Sequence, residues 1–167
     1  FRDLSSGWYH IVFAFDSTES TNSDKAKLYV NGSQITSFST ETYPSGSPNS
    51  FFSSTTTQSI GRRGDDNFYH DGSMSQVYFI DGQALTPESF GFTDPLTNTW
   101  KPKKYTGTFT GTNTFYLPFD GNSPIGKDQS GNGNDWTPVN FGGSVALDNP
   151  QVSGAKPILN TTQGGTQ

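Results

Sequence analysis

Lys25-Ala-Lys-Leu-Tyr-Val30, Asn31-Gly32 and Ser33-Gln-Ile-Thr-Ser-Phe38 follow one another without a break. Two stretches with the look of strands flank an Asn-Gly pair. Both central residues of a type I′ turn need positive φ, which Asn and Gly tolerate, so the run predicts a β-hairpin. Upstream, Trp8-Tyr-His-Ile-Val-Phe-Ala-Phe-Asp16 alternates imperfectly and predicts a strand with one well-buried face. Downstream, Gln58–Gly61 reads as a short strand. Gly72–Asp81 reads as another, with Met74, Gln76, Tyr78 and Ile80 on one face and Ser75, Val77 and Phe79 on the other. Thr86-Pro-Glu-Ser-Phe90 sets an N-cap threonine before a proline at the first helical position, which predicts one short helical turn. Thr114–Phe119 reads as a strand whose Pro118 cannot donate to a ladder, placing it at an edge or a bulge.

The composition agrees with an all-β chain carrying long polar loops. Hydrophobic residues make up 29% and charged residues only 15% of 167. Disorder normally couples low hydrophobicity to high charge, whereas here Ser, Thr, Asn and Gly fill the gap. Aromatics reach 14%, with 14 phenylalanines, so bulky groups for a core are present. The length suits one domain of ordinary size. Cysteine is absent, which removes disulfides and thiolate chemistry. The net charge is −5, and the basic residues are scattered apart from Arg62-Arg63 and Lys101-Pro-Lys-Lys104. A nucleic-acid surface needs a clustered positive field, so no nucleic-acid partner is expected. No apolar run approaches the roughly 20 residues that cross a bilayer, so no membrane partner is expected either.

Five signals in order resemble the later half of laminin G-like, concanavalin A-like domains. They are Ser6-Gly-Trp-Tyr-His-Ile-Val12, Lys27-Leu-Tyr-Val-Asn-Gly32, Ser59-Ile-Gly61, Asp71-Gly-Ser-Met-Ser-Gln-Val-Tyr78 and Ala84-Leu-Thr-Pro-Glu88. The resemblance implies an antiparallel jelly-roll β-sandwich of two sheets, one of them concave and glycan-binding in many relatives. More narrowly, Val77–Leu85, Trp100–Gly107, Phe115–Leu117 and Gly131–Thr137 resemble marine bacteriophage virion, tail-fibre and appendage proteins. That likeness implies a virion or extracellular setting. It also implies a homo-oligomer or other virion proteins as partners, and host-surface glycans as a further one. The corresponding organisation is residues 1–92 as the later half of a sandwich and 93–113 as a turn-rich connection. Residues 114–150 supply strands that close the sandwich or open a second module, and 151–167 form an extended or disordered tail. The first half of such a domain would precede Phe1. A half sandwich exposes a broad apolar face, so closure by the downstream strands or by a partner is expected.

Concanavalin A-like folds include glycosidases, and sugar cleavage needs two carboxyl groups flanking the bond. The three glutamates are Glu19 and Glu41 in loops and Glu88 in the helical turn, and no E-x-D-x-E pattern occurs. His10 and His70 lie in no nucleophile motif. No catalytic residue is assigned, and the chain reads as a non-enzyme. His10 reads instead as a strand residue hydrogen-bonded within the sandwich.

Asp128-Gln-Ser-Gly-Asn-Gly-Asn-Asp-Trp136 offers two readings. Asp128, Ser130 and Asn132 stand at positions 1, 3 and 5 with Gly133 at 6, echoing the first half of a calcium loop, but position 12 is Val139. Hard oxygens of Asp128, Ser130, Asn132, Asn134 and Asp135 make calcium the candidate cofactor, and no other is expected. Alternatively the loop is glycine-assisted, with Asn and Asp side chains capping their own backbone. Gly64-Asp-Asp-Asn67 is a second loop of this kind. For glycan contact the candidates are Trp100, Trp136, Tyr69 and Asn134, the rings stacking on sugar faces and the amide fixing hydroxyls. Tyr43 is a further ring, while Trp8, within a strand, reads as core. Asn31-Gly-Ser33 and Asn160-Thr-Thr162 match the glycosylation sequon, the first being better explained by its turn. The alternative function is therefore a carbohydrate-binding module of a secreted bacterial protein.

Overall fold

A computed structural model describes residues 7–46, 57–63, 68–70, 72–120 and 124–139. The chain divides into two compact units, one drawn from Phe1–Ser54 and Gln83–Thr108, the other from Thr55–Gly82 and Phe109–Gln167. Among the described residues every strand pairing is antiparallel, and helix occurs only as two 3-10 turns.

The first unit holds β1 (Ile11–Phe15), β2 (Ala26–Val30) and β3 (Ser33–Gln34) in the order β1-β2-β3. The predicted hairpin is there. Asn31 has φ 49° and Gly32 φ 81°, as a type I′ turn requires. The turn is tied back to β1, because Asn31 N–H donates to the His10 carbonyl (2.8 Å) and His10 N–H to Asn31 Oδ1 (2.9 Å). Ile11 faces Val30, Phe13 faces Leu28 and Phe15 faces Ala26, so these six apolar side chains share one face of the sheet. Ile11 is 54% and Phe13 62% exposed on that face, and the other four are partly buried. The strand predicted from Trp8 begins only at Ile11, and Trp8 is 44% exposed rather than in the core.

The predicted strand over Ser33–Phe38 stops at Gln34, although Ile35 N–H adds one more bond to the Leu28 carbonyl (2.8 Å). The helical turn appears as a 3-10 turn at Pro87–Ser89. Thr86 does not cap it with its side chain. It bonds the Glu88 carboxylate instead, which holds that carboxyl below its ordinary value. The turn-rich stretch beyond contains a hairpin, β5 (Gly91–Asp94) with β6 (Thr99–Pro102). Asp94 organises its turn, accepting from Leu96 N–H (2.9 Å), the Thr97 hydroxyl (3.0 Å) and the Lys101 ammonium. Lys101 foremost, then those turn donors, hold the Asp94 carboxyl down to about 2.

The second unit is built on β4 (Val77–Phe79) paired with β7 (Phe115–Leu117). The strand expected over Gly72–Asp81 is shorter because Gln76 has φ 53°, a left-handed conformation that interrupts the extended chain. The alternation expected for Met74 and Gln76 fails at that residue. No strand forms at Gln58–Gly61, where an isolated bridge joins Arg62 to Tyr69. Phe115, Tyr116 and Leu117 are all buried, and Leu117 is 1% exposed. Burying one such side chain contributes about 1.5–3 kcal/mol. Tyr78 and Tyr116, directly opposite in the register, stack at 4.2 Å with an interplanar angle of 1°, and Phe109 lies on the Tyr116 ring at 6.1 Å. On the other face Phe79 meets Phe115 at 5.7 Å. Each aromatic pair adds about 0.5–1.5 kcal/mol beyond its buried area.

Candidate functional site

The loop after β7 is held by one carboxylate. Gln129 N–H donates to the Tyr116 carbonyl (2.8 Å), which sets Asp128 against the strand. Asp128 Oδ1 then accepts from the N–H groups of Tyr116 (2.9 Å) and Ser130 (2.8 Å). Its Oδ2 accepts from the Ser130 hydroxyl (2.8 Å) and Asn134 N–H (2.9 Å). Burial alone pushes this carboxyl's pKa up, and the donors outweigh it, so the group sits below its ordinary value. Gly131 (φ 96°) and Gly133 (φ 76°) allow the chain to curl around it. Asn132 and Asn134 turn their amides away from Asp128, both donating to the Thr114 carbonyl (3.2 and 2.8 Å), and Asn134 also to that of Thr112 (2.8 Å).

The five proposed calcium ligands are therefore brought together, but as a backbone-capping network. An ionised carboxylate has about four acceptor sites, and Asp128 meets four donors. Ser130 spends its hydroxyl on Asp128, and Asp135 Oδ1 caps Asp128 N–H (3.0 Å). Calcium takes six to eight oxygens, and here it would have to displace donors already seated on the central one. Among the described residues no group of three or more His, Asp or Glu side chains is placed to hold a metal ion. Gly64–Asn67 lies outside the described residues.

Trp136 closes the loop. Its N–H donates to the Gly126 carbonyl (2.8 Å), and its ring meets Phe115 edge-on at 4.9 Å and 63°. Gly126 is obligatory here, since a Cβ would stand 1.9 Å from the Trp136 carbonyl oxygen. Beside the indole, Lys127 Nζ pairs with Asp135 Oδ2 at 2.8 Å. Each shifts the other toward charge, Lys127 upward and Asp135 downward. Pro124, Gly126, Lys127, Asp135, Trp136 and Pro138 line a shallow cavity of about 180 Å³.

The other glycan candidates are not part of this cavity. Trp100 belongs to the first unit, where its indole N–H donates to His10 Nδ1 (3.0 Å) and its ring covers Gly32 and Gly91. A Cβ on Gly32 would lie 2.3 Å from the indole, and one on Gly91 2.4 Å. Burial holds the His10 pKa down, in keeping with a neutral ring that accepts at Nδ1. Tyr69 is 63% exposed and bridges Arg62. Tyr43 donates to Glu41 (3.0 Å), and Asn31 is occupied by its turn. Asn160 lies outside the described residues.

A second cleft, which the sequence did not signal, lies in the first unit. Asp16, Glu19, Asp24, Lys27 and Tyr29 line about 130 Å³ with Ala84–Thr86. The Thr18 hydroxyl, then its N–H, holds the Asp16 carboxyl below its ordinary value, the wrong direction for a general acid. Asp24 is paired to Lys27 at 3.6 Å.

The sequence profile that matches residues 3–89, slightly more than half the chain, describes the concanavalin A-like lectin/glucanases superfamily, in its laminin G group. The chain belongs to this family. No curated protein and no solved structure matches it. The match takes in the β1–β2–β3 sheet, β4 and the Pro87–Ser89 turn, and the antiparallel all-β architecture is the one the family carries. The Asp128 loop and Trp136 lie beyond the matched residues. Among the described residues no helix is long and apolar enough to cross a membrane.

Proposed function

We propose that this concanavalin A-like chain is a non-catalytic structural or adhesion module that assembles through its β-sheet face. The observation that carries the reading is the exposed apolar face of β1 and β2, centred on Phe13 at 62% exposure. Contiguous exposed apolar surface on a soluble protein marks an interaction site. Among the described residues β1 also stands at the end of its sheet, in the order β1-β2-β3. The non-catalytic part of the reading rests on the three glutamates, Glu19, Glu41 and Glu88, which no strand face brings together as an acid–base pair. A phage virion, tail fibre or appendage as its setting, with copies of the chain or other virion proteins as partners, rests on the sequence resemblance beyond Val77 alone. Electron imaging of the intact particle that carries the chain tests this. Many copies repeating along a fibre or shell support it, and an isolated monomeric domain counts against it.

A second reading, carbohydrate binding, is favoured by one observation. Trp136 lines an open cavity together with an ion pair, the combination of an apolar face and directed polar groups that sugars require. A glycan array on the intact protein tests it, with reproducible binding as the expected result and silence across the array as the contrary one.

A further inference from the structure

We infer that the cavity beside Trp136 is a single-ring saccharide site for a neutral pyranose presenting a vicinal diol. The inference rests on the carbohydrate-binding reading and assigns it a place and a ligand geometry. The first argument is the platform. Trp136 lines the cavity, its ring held by the edge contact to buried Phe115 and its backbone by the N–H bond to the Gly126 carbonyl. A ring so held loses little freedom when a ligand stacks on it, and preorganisation of this kind favours weak ligands most. Pro124 and Pro138 add apolar walls at its margin.

The second argument is the arithmetic of the polar pair. Asp135 Oδ1 accepts one bond, from Asp128 N–H, and Oδ2 accepts one, from Lys127 Nζ. Four acceptor sites less these two leave one on each oxygen. Two adjacent hydroxyls can donate to the two oxygens of one carboxylate. Lys127 retains further N–H donors for a ring or glycosidic oxygen. Both side chains are about half exposed, 49% and 48%, so this pairing is reached without unfolding the loop.

The third argument is size and charge. About 180 Å³ is below the ~300–1,000 Å³ that encloses larger ligands, and suits one ring laid on a surface. Lys127 offsets the charge of Asp135, and the ionised Asp128 carboxylate close to the pair disfavours an anionic ligand. The neighbouring Asp128 takes no bond from the ligand, its acceptor sites being filled by the chain.

The test is an NMR titration of the isotope-labelled protein with methyl α-mannopyranoside, methyl β-galactopyranoside and methyl β-glucopyranoside. At least one is expected to shift the Trp136 indole N–H, with a dissociation constant of about millimolar order for a ligand of this size. Asp135→Asn and Lys127→Gln are expected to weaken that binding several-fold while leaving the rest of the spectrum in place. Trp136→Phe is expected to retain part of it, and Trp136→Ala to lose tenfold or more. If none of the three glycosides moves the indole signal, or Asp135→Asn leaves the affinity unchanged, the site is overturned. A glycan array that stays positive then preserves the carbohydrate reading elsewhere on the protein, whereas a silent array removes both.

Discussion

The β1–β2 pair and the β4–β7 pair use the same antiparallel geometry and similar apolar side chains, yet they end in different environments. In β4–β7 the Phe115–Leu117 strand is buried throughout, with Phe109 stacked on one face and Trp136 set against the other. In β1–β2, Ile11 and Phe13 project from their shared face with more than half of their surface exposed. Alternation along a strand decides which residues share a face. Whether that face is covered is decided by what else packs there. The covered pair is a core, and the other pair keeps Ile11 and Phe13 largely exposed.

The largest expected effect separates the two pairs directly. Leu117→Ala should cost about 2–5 kcal/mol in denaturant unfolding, as large-to-small changes in a packed core do. Phe13→Ala in the dispersed protein should stay within about 0.5 kcal/mol, as for other surface sites. A Phe13→Ala cost approaching that of Leu117→Ala would show that its face is covered after all.

Asp128→Ala comes next. It strips the acceptor from three backbone N–H groups, including that of buried Tyr116, and should destabilise the protein by about 1–3 kcal/mol. Calcium should raise neither the wild-type melting temperature nor that of the variant. A calcium-dependent rise lost with Asp128 would instead identify the loop as an ion site.

Gly32→Ala should cost about 1 kcal/mol or somewhat more, since φ 81° is strained for alanine and the new methyl meets the Trp100 ring. Trp100→Ala made beforehand should relieve the steric share of that cost and leave the share owed to the turn.

The smallest effect is a pH dependence. His10 accepts from the Trp100 N–H, and burial lowers its pKa in the folded state. The unfolded chain therefore binds the proton more readily. The contribution is complete above the ordinary histidine pKa near 6.5 and is lost as pH falls through the lower folded value. Stability measured from about pH 7 downward should decline across that window in the wild type and less so in His10→Gln.

Much of this was legible in the sequence where one residue type settles the backbone. Asn31-Gly32 pointed to the first hairpin, Pro87 to the 3-10 turn, and Phe115–Leu117 before Pro118 to β7. The second hairpin was harder to see, because Gly91–Asp94 and Thr99–Pro102 contain glycine, proline and lysine, which are poor strand formers. Gln76 took a positive φ that its residue type does not announce. The Asp128 loop carried two chemistries in its sequence. The structure's capping network comes in part from the carbonyls of Thr112 and Thr114 and the N–H of Tyr116, partners that lie outside the loop itself. Trp100 showed an aromatic without showing its seat over two glycines.

Sedimentation velocity over a wide concentration range, on the wild type and on an Ile11→Ser, Phe13→Ser double variant, addresses the sheet-face claim most directly. The account predicts a species heavier than 18.1 kDa that grows with concentration in the wild type and disappears in the variant. A wild type that remains monomeric at every concentration, or a variant that assembles equally well, would contradict it.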